Sequence, residues 1–244
     1  MLALDKKTDK LKLWLGHYKW YILIALFFVI FITVMTVQTC SRDEHDISIM
    51  YAGPAVIADS QNAAIETALG KLAKDTDGDG KTEALFYDLI IMDRNELTAA
   101  YDKGHSTSSI NEDTVQQAKD AFQLNLLSDD HFVLMLSPER YALMVENGAL
   151  EKLDDIGITS GARYSEYAVR LKDLDFARFY TAFSVLPDDT LVCFKHISEV
   201  NADKKKVLER RQDSIEFLKA LAEYKLPEGV IVQGEPVRKS KVEL

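Results

Sequence analysis

Cysteine is almost missing from this chain of 244 residues. Cys40 and Cys193 are the only two, which supports neither a disulfide scaffold nor a cysteine metal site. A basic excess is missing as well: the formal charge is −10, which argues against nucleic acid as a partner. There is no internal repeat, no low-complexity tract, no nucleophile elbow and no phosphate-cradling loop. His105, His131 and His196 are scattered without metal-ligand spacing, and the last two fall at strand boundaries, where a hydrogen-bonded structural role is expected. Asp88 interrupts an apolar strand and reads as a buried acid with a shifted pKa, but one carboxylate does not make an acid–base pair. These absences point away from an enzyme.

What is present begins with Trp20 to Val37, WYILIALFFVIFITVMTV, eighteen residues without a charge. At 1.5 Å rise per residue this run approaches the thickness of a bilayer core, and a helix apolar on every face is unusual in a soluble core. Lys6, Lys7, Lys10, Lys12 and Lys19 precede it against Asp5 and Asp9, whereas Arg42, Asp43, Glu44 and Asp46 follow with a negative balance. The positive-inside rule therefore places the N-terminus in the cytoplasm and everything beyond about Cys40 outside it. Tyr18, Trp20 and Tyr21 suit the headgroup layer. The run is longer than a signal-peptide core and lacks an A-x-A site, which favours an uncleaved anchor; Val37 to Cys40 resembles a lipobox only loosely, leaving lipidation of Cys40 as an alternative. The expected organisation is a basic cytoplasmic segment 1–19, a single transmembrane helix 20–38, an extracytoplasmic domain 45–226 and a tail 227–244, in a cell-membrane protein.

Beyond the run, strand and helix patterns alternate. Strands are expected at 47–52, 84–92, 131–136 and 190–196, helices at 63–74, 111–127 and 203–226. Ser137 reads as an N-cap with Pro138 at the first helical position, in a helix closed by Gly148. A short strand at 167–171 and a short helix at 174–180 complete the reading. This order predicts an α/β fold with a mainly parallel sheet flanked by helices, preceded by one transmembrane helix.

Asp75 to Glu83 reads DTDGDGKTE. Loops that hold calcium place oxygen ligands at positions 1, 3, 5, 7 and 9, here Asp75, Asp77, Asp79, the Lys81 carbonyl and Glu83, with Gly78 and Gly80 for tight curvature. Position 12 is Phe86, so this is not an EF-hand. A nine-position loop between helix and strand resembles the calcium loop of periplasmic galactose-binding proteins, in which a remote carboxylate completes the site. Calcium is the expected ion, in a structural role; magnesium fits an all-protein cage poorly, and the bland alternative is an acidic turn.

Leu126 to Asp155, LLSDDHFVLMLSPERYALMVENGALEKLDD, resembles bacterial extracellular solute-binding proteins at the point where a buried strand leads into a helix closing on G-x-L-x-x-L-D, here Gly148, Leu150, Leu153 and Asp154. The resemblance implies a type 2 periplasmic-binding-protein-like fold that captures a small solute without transforming it. The chain departs from that family in its short exported part and its membrane run. Ligands of open α/β sheets sit beyond the carboxyl ends of the strands, which makes Tyr51, Gly53, Asp93, Ser137 and Glu139 the candidate ligand-binding residues. Against this, Ser137 also reads as a helix cap, Gly53 as a turn former and Tyr51 as a core-edge aromatic. The alternative function is an interaction or scaffold domain that contacts an envelope protein and keeps the fold without a ligand.

Overall fold

The computed structural model describes residues 18, 20–21, 23–35, 45–76, 78–102, 110–159 and 163–227. The chain divides into two compact units, Met1–Glu44 and His45–Leu244. In the first, residues 23–35 are helical, and their large apolar side chains are exposed all round, from Val34 at 47% to Phe27 at 62%. Phe27 stacks on Phe31 one turn away. Of the expected span 20–38, residues 22 and 36–38 lie outside the described residues. Among the described residues no helix is long and apolar enough to cross a membrane.

The second unit is α/β, with five strands in the order β2-β1-β3-β5-β4. The strands are β1 (Ile47–Gly53), β2 (Ala84–Ile90), β3 (Val133–Leu136), β4 (Ala168–Arg170) and β5 (Leu191–Phe194). The helices are α1 (Asp59–Gly70), α2 (Arg94–Asp102), α3 (Glu112–Ser128), α4 (Pro138–Glu146), α5 (Asp175–Phe179) and α6 (Lys205–Ala222). The sheet is mixed, which corrects the expectation of a mainly parallel one: β1 pairs parallel with β2 and β3, but β5 runs antiparallel to both β3 and β4. The reason is physical. A strand buried on both faces is a continuous apolar run that carries no signal of direction. All four residues of β5 are buried, and LVCF fits either orientation.

Period-two alternation divides the strand residues between two cores. Ile49, Tyr51, Phe86, Val133, Val192 and Phe194 face α1, α5 and α6, meeting Ile65, Leu69, Phe176, Leu218 and Leu221. Met50, Ala52, Leu89, Leu134, Leu136 and Cys193 face α3 and α4, meeting Phe122, Tyr141 and Met144. Cys193 is fully buried, and burial pushes its thiol pKa up, as befits a small core hydrophobe.

Both sheet edges are closed by side chains and turns. On β2, the Phe86 amide donates to Glu66 Oε1 at 3.0 Å and its carbonyl accepts from Asn62 Nδ2 at 3.2 Å, both from α1. On β4, the Ala168 carbonyl accepts from the amides of Tyr164 and Ser165. A strand-adding partner therefore finds no bare ladder at these positions.

Helix ends differ from expectation where local capping outranks apolar spacing. α1 begins at Asp59 rather than 63, because Gln61 Oε1 accepts from the Ala58 amide at 2.9 Å and fixes the first turn. Pro138 opens α4 as expected, with Ser137 extended at the cap but making no side-chain cap bond, and Gly148 closes it with φ +63°.

Candidate functional site

Beyond the carboxyl ends of β1 and β2 lies a crevice of about 410 Å3. β1 turns at Gly53–Pro54, β2 runs on through Met92 into α2, and the segment through Leu186 and Pro187 passes alongside. The strand pairing continues above the sheet through Ile91 N to Gly53 O at 2.9 Å and Ser137 N to Ala52 O at 3.0 Å. That second bond stitches β1 to β3 where a doubly wound sheet would offer its ligand crevice. The opening is consequently displaced toward β2. Its walls combine the apolar side chains of Ala55, Val56, Met92, Ala100 and Leu186 with a similar amount of polar surface, and Glu96 is the one charged side chain among the lining residues.

α2 carries Glu96 and was not legible from apolar spacing. Its signal was Asp93-Arg94-Asn95-Glu96, a reciprocal cap: Asp93 Oδ1 accepts from the Glu96 amide, and Glu96 Oε2 accepts from the Asp93 amide, both at 2.7 Å.

The candidate ligand residues do not converge. Tyr51 is fully buried, its ring stacks on Phe86 at 6.1 Å, and its hydroxyl accepts from the Ala55 amide at 3.0 Å. Burial, with Asp189, Glu96 and Asp88 nearby, raises its pKa although the Ala55 bond lowers it. Gly53 makes room for that hydroxyl, since a Cβ there would lie 2.5 Å from it. Asp93 is exposed and caps α2, Ser137 is half-buried at the start of α4, and Glu139 is exposed on α4. None of the five lines the crevice; Tyr51 bonds the amide of Ala55, which does line it, and the Asp93 amide fixes Glu96.

In the acidic loop, Asp77 lies outside the described residues. Asp75 accepts from the amides of Gly78 at 2.6 Å and Gly80 at 2.9 Å, and Asp79 Oδ1 accepts from Lys81 N at 2.7 Å. Gly78 and Gly80 hold φ of +80° and +84°, a region that favours glycine. Lys81 and Glu83 are exposed. The donor set is all oxygen, as a hard cation requires, but among the described residues no group of three or more acidic or imidazole side chains is close enough to hold a metal. One carboxylate from outside the loop does reach it. Asp46, 9% exposed, accepts from Thr76 N at 2.6 Å, Thr76 Oγ1 at 2.9 Å and Glu83 N at 2.8 Å. Asp46 thus ties both ends of the loop to the start of β1.

A second polar cluster went unread in the sequence. Asp129, fully buried with φ 55°, receives Lys195 Nζ, Ser198 Oγ at 2.5 Å and Asn201 Nδ2 at 2.8 Å, while Lys195 also donates to the Leu126 carbonyl at 2.7 Å. Burial would raise the Asp129 pKa, but the bonds from Lys195, Ser198 and Asn201 outweigh it and hold the carboxyl below the usual range. Beside it, His131 is buried, its Nδ1 lies 2.6 Å from Ser48 Oγ, and its ring stacks on Tyr87 at 5.5 Å. Burial, with Lys195 and Arg210 nearby, pushes its pKa down to about 4 against the opposing pull of Asp130, so it is neutral at pH 7. His196 is exposed and faces Glu151 at 3.3 Å, and His105 lies outside the described residues. Asp88 is raised by burial, which Asp59 and Glu66 reinforce, while its own amide opposes the shift.

Compared with protein-family models, curated proteins and solved structures, the chain matches none.

Proposed function

We propose that this chain is a single-pass membrane protein whose extracytoplasmic α/β domain holds a small solute without transforming it. The observation that carries the reading is the crevice: about 410 Å3, within the usual range for ligand sites, with apolar and polar wall in similar measure and one oriented carboxylate. Its place beyond the carboxyl ends of β1 and β2 is where open α/β sheets take ligands. The partial likeness of Leu126–Asp155 to extracellular solute-binding proteins points the same way. The anchor rests on the uncharged run Trp20–Val37, on the lysines before it, and on the all-round apolar exposure of residues 23–35. Calcium in the loop, held by Asp75, Asp77, Asp79, the Lys81 carbonyl and Glu83, would brace the joint between α1 and β2, with Asp46 the carboxylate at hand to complete or stiffen it.

The test is equilibrium dialysis of the full chain in nanodiscs against a mixture of small metabolites, beside Ala99→Trp, which fills the crevice from its exposed lip. A solute retained by the wild type and lost in the variant supports the reading; retention of none overturns it. For the loop, melts in chelator and in calcium, with magnesium as control, should give a calcium-selective rise that Asp77→Ala abolishes. A second reading, an envelope interaction or scaffold domain, is favoured by Leu124, Leu127 and Val200, exposed by 69%, 70% and 85%. Crosslinking from Val200→Cys in membranes tests it, and labelling by lipid or solvent alone would count against it.

A further inference from the structure

We infer that the crevice beyond β1 and β2 selects a small organic cation: an apolar body between Val56, Met92 and Ala100, with its ammonium group on Glu96. This rests on the solute-binding reading and narrows it to a ligand class. The geometry supplies both halves of such a ligand's recognition. Met92 and Ala100 are nearly fully buried behind the wall, and small side chains at Ala55, Ala99 and Ala100 leave the space open. The apolar side chains of this wall give an apolar group a place to be buried, beside polar surface in similar measure.

The charged half is one-sided. Glu96 Oε2 is committed to the Asp93 amide, while Oε1 has no hydrogen-bond partner among the described residues. The fixed bond sets the carboxylate's direction, so a cation that arrives meets a positioned acceptor. The charged groups that bear on the Tyr51 hydroxyl, which bonds Ala55 of the wall, are Asp189, Glu96 and Asp88, all carboxylates. The neighbouring cation, Arg94, is turned to Glu112, 3.7 Å away. The positive end of α2 is already met by the Asp93–Glu96 pair. The net negative charge of the chain, −10, adds a long-range attraction for a cation. An anionic solute would meet the Glu96 carboxylate, and a neutral one would leave Glu96 Oε1 to water.

The experiment uses the full chain in nanodiscs with 13C-labelled methionine methyl groups and follows the Met92 signal, so that partition of a probe into lipid does not register. The probes are 2-phenylethylamine, its neutral analogue 2-phenylethanol and the anion 3-phenylpropionate. The amine is expected to shift Met92 saturably and to bind roughly fivefold tighter than the alcohol, the worth of one partly exposed ion pair, with the anion weakest. Glu96→Gln keeps the cap, because glutamine also accepts from the Asp93 amide, and should bring the amine down to the alcohol's affinity. Ala99→Trp should remove both. Equal binding of amine and alcohol, or an amine preference that survives Glu96→Gln, overturns the cation inference and leaves the solute reading standing. Failure of all three probes to move Met92 overturns both.

Discussion

At the amino end of β3, buried charge meets a partner at every turn: Asp129 holds Lys195, Ser198 and Asn201, and His131 holds Ser48. Beyond the carboxyl ends of β1 and β2, the walls stand apart around open space, and one carboxylate oxygen is left uncommitted. The first region is a joint, tying the end of α3, the strand β5 and the segment before α6. The second is a vacancy held open by the same sheet. A fold can tolerate a gap at one end because the other is over-determined, and substitutions at the two ends should differ accordingly.

The largest effect is expected at Lys195→Met. It leaves the fully buried Asp129 carboxylate without its cation, a change that costs about 3–5 kcal/mol when a buried pair is broken from one side. Lys195→Met with Asp129→Asn should recover part of that loss, because asparagine tolerates φ 55°, carries no charge to strand and still accepts from Ser198 and Asn201. Urea unfolding of both variants checks this. Ala99→Trp at the opposite end should stay within about 0.5 kcal/mol of wild type, as exposed substitutions do. If the two single variants lose similar stability, the contrast between the ends is wrong.

Next comes pH. His131 has a folded pKa of about 4 against an ordinary 6.5. The unfolded chain therefore binds a proton in that window when the folded chain does not. The stability tied to neutral His131 is whole above pH 6.5 and is lost as pH falls toward 4, by about 3 kcal/mol in all. His131→Gln should flatten the melting temperature over this window, and an unchanged slope would assign the acid sensitivity elsewhere. At the loop, Asp46→Ala removes three accepted hydrogen bonds and should cost about 2 kcal/mol. The loss should be accompanied by faster amide exchange at Thr76 and Glu83. Normal protection there would mean the loop holds its own shape.

Most strands and the main amphipathic helices were legible, because alternation and 3.6-residue spacing are local properties. Three things were not. The antiparallel direction of β5 is unwritten in four buried apolar residues. The pairing of Asp129 with Lys195 joins positions 66 apart, and one sequence shows no such coupling. The crevice was expected at Tyr51, Gly53, Asp93, Ser137 and Glu139, from the general rule for α/β sheets. Yet Ser137 N closes onto Ala52 O and Tyr51 turns inward to Ala55, so the open space falls to residues with no chemical signature, Ala55, Val56 and Ala100. The one polar contributor did have a local signal, the D-x-x-E cap that starts α2.

That cap gives the smallest and most discriminating test of the comparison. Asp93→Ala removes a side-chain acceptor at an exposed helix start, so it should lower stability by only about 1 kcal/mol. The Asp93 amide that fixes Glu96 Oε2 is backbone and survives the substitution, but the turn that presents it is freed. Glu96 should then lose its fixed direction while keeping its charge. Amine affinity at the crevice is therefore expected to fall further than the loss of stability alone explains, whereas the pH dependence centred on His131 should not change. A variant that loses stability without any change in amine binding would show that Glu96 needs no positioning, and that the open end of the sheet is as rigid as the closed one.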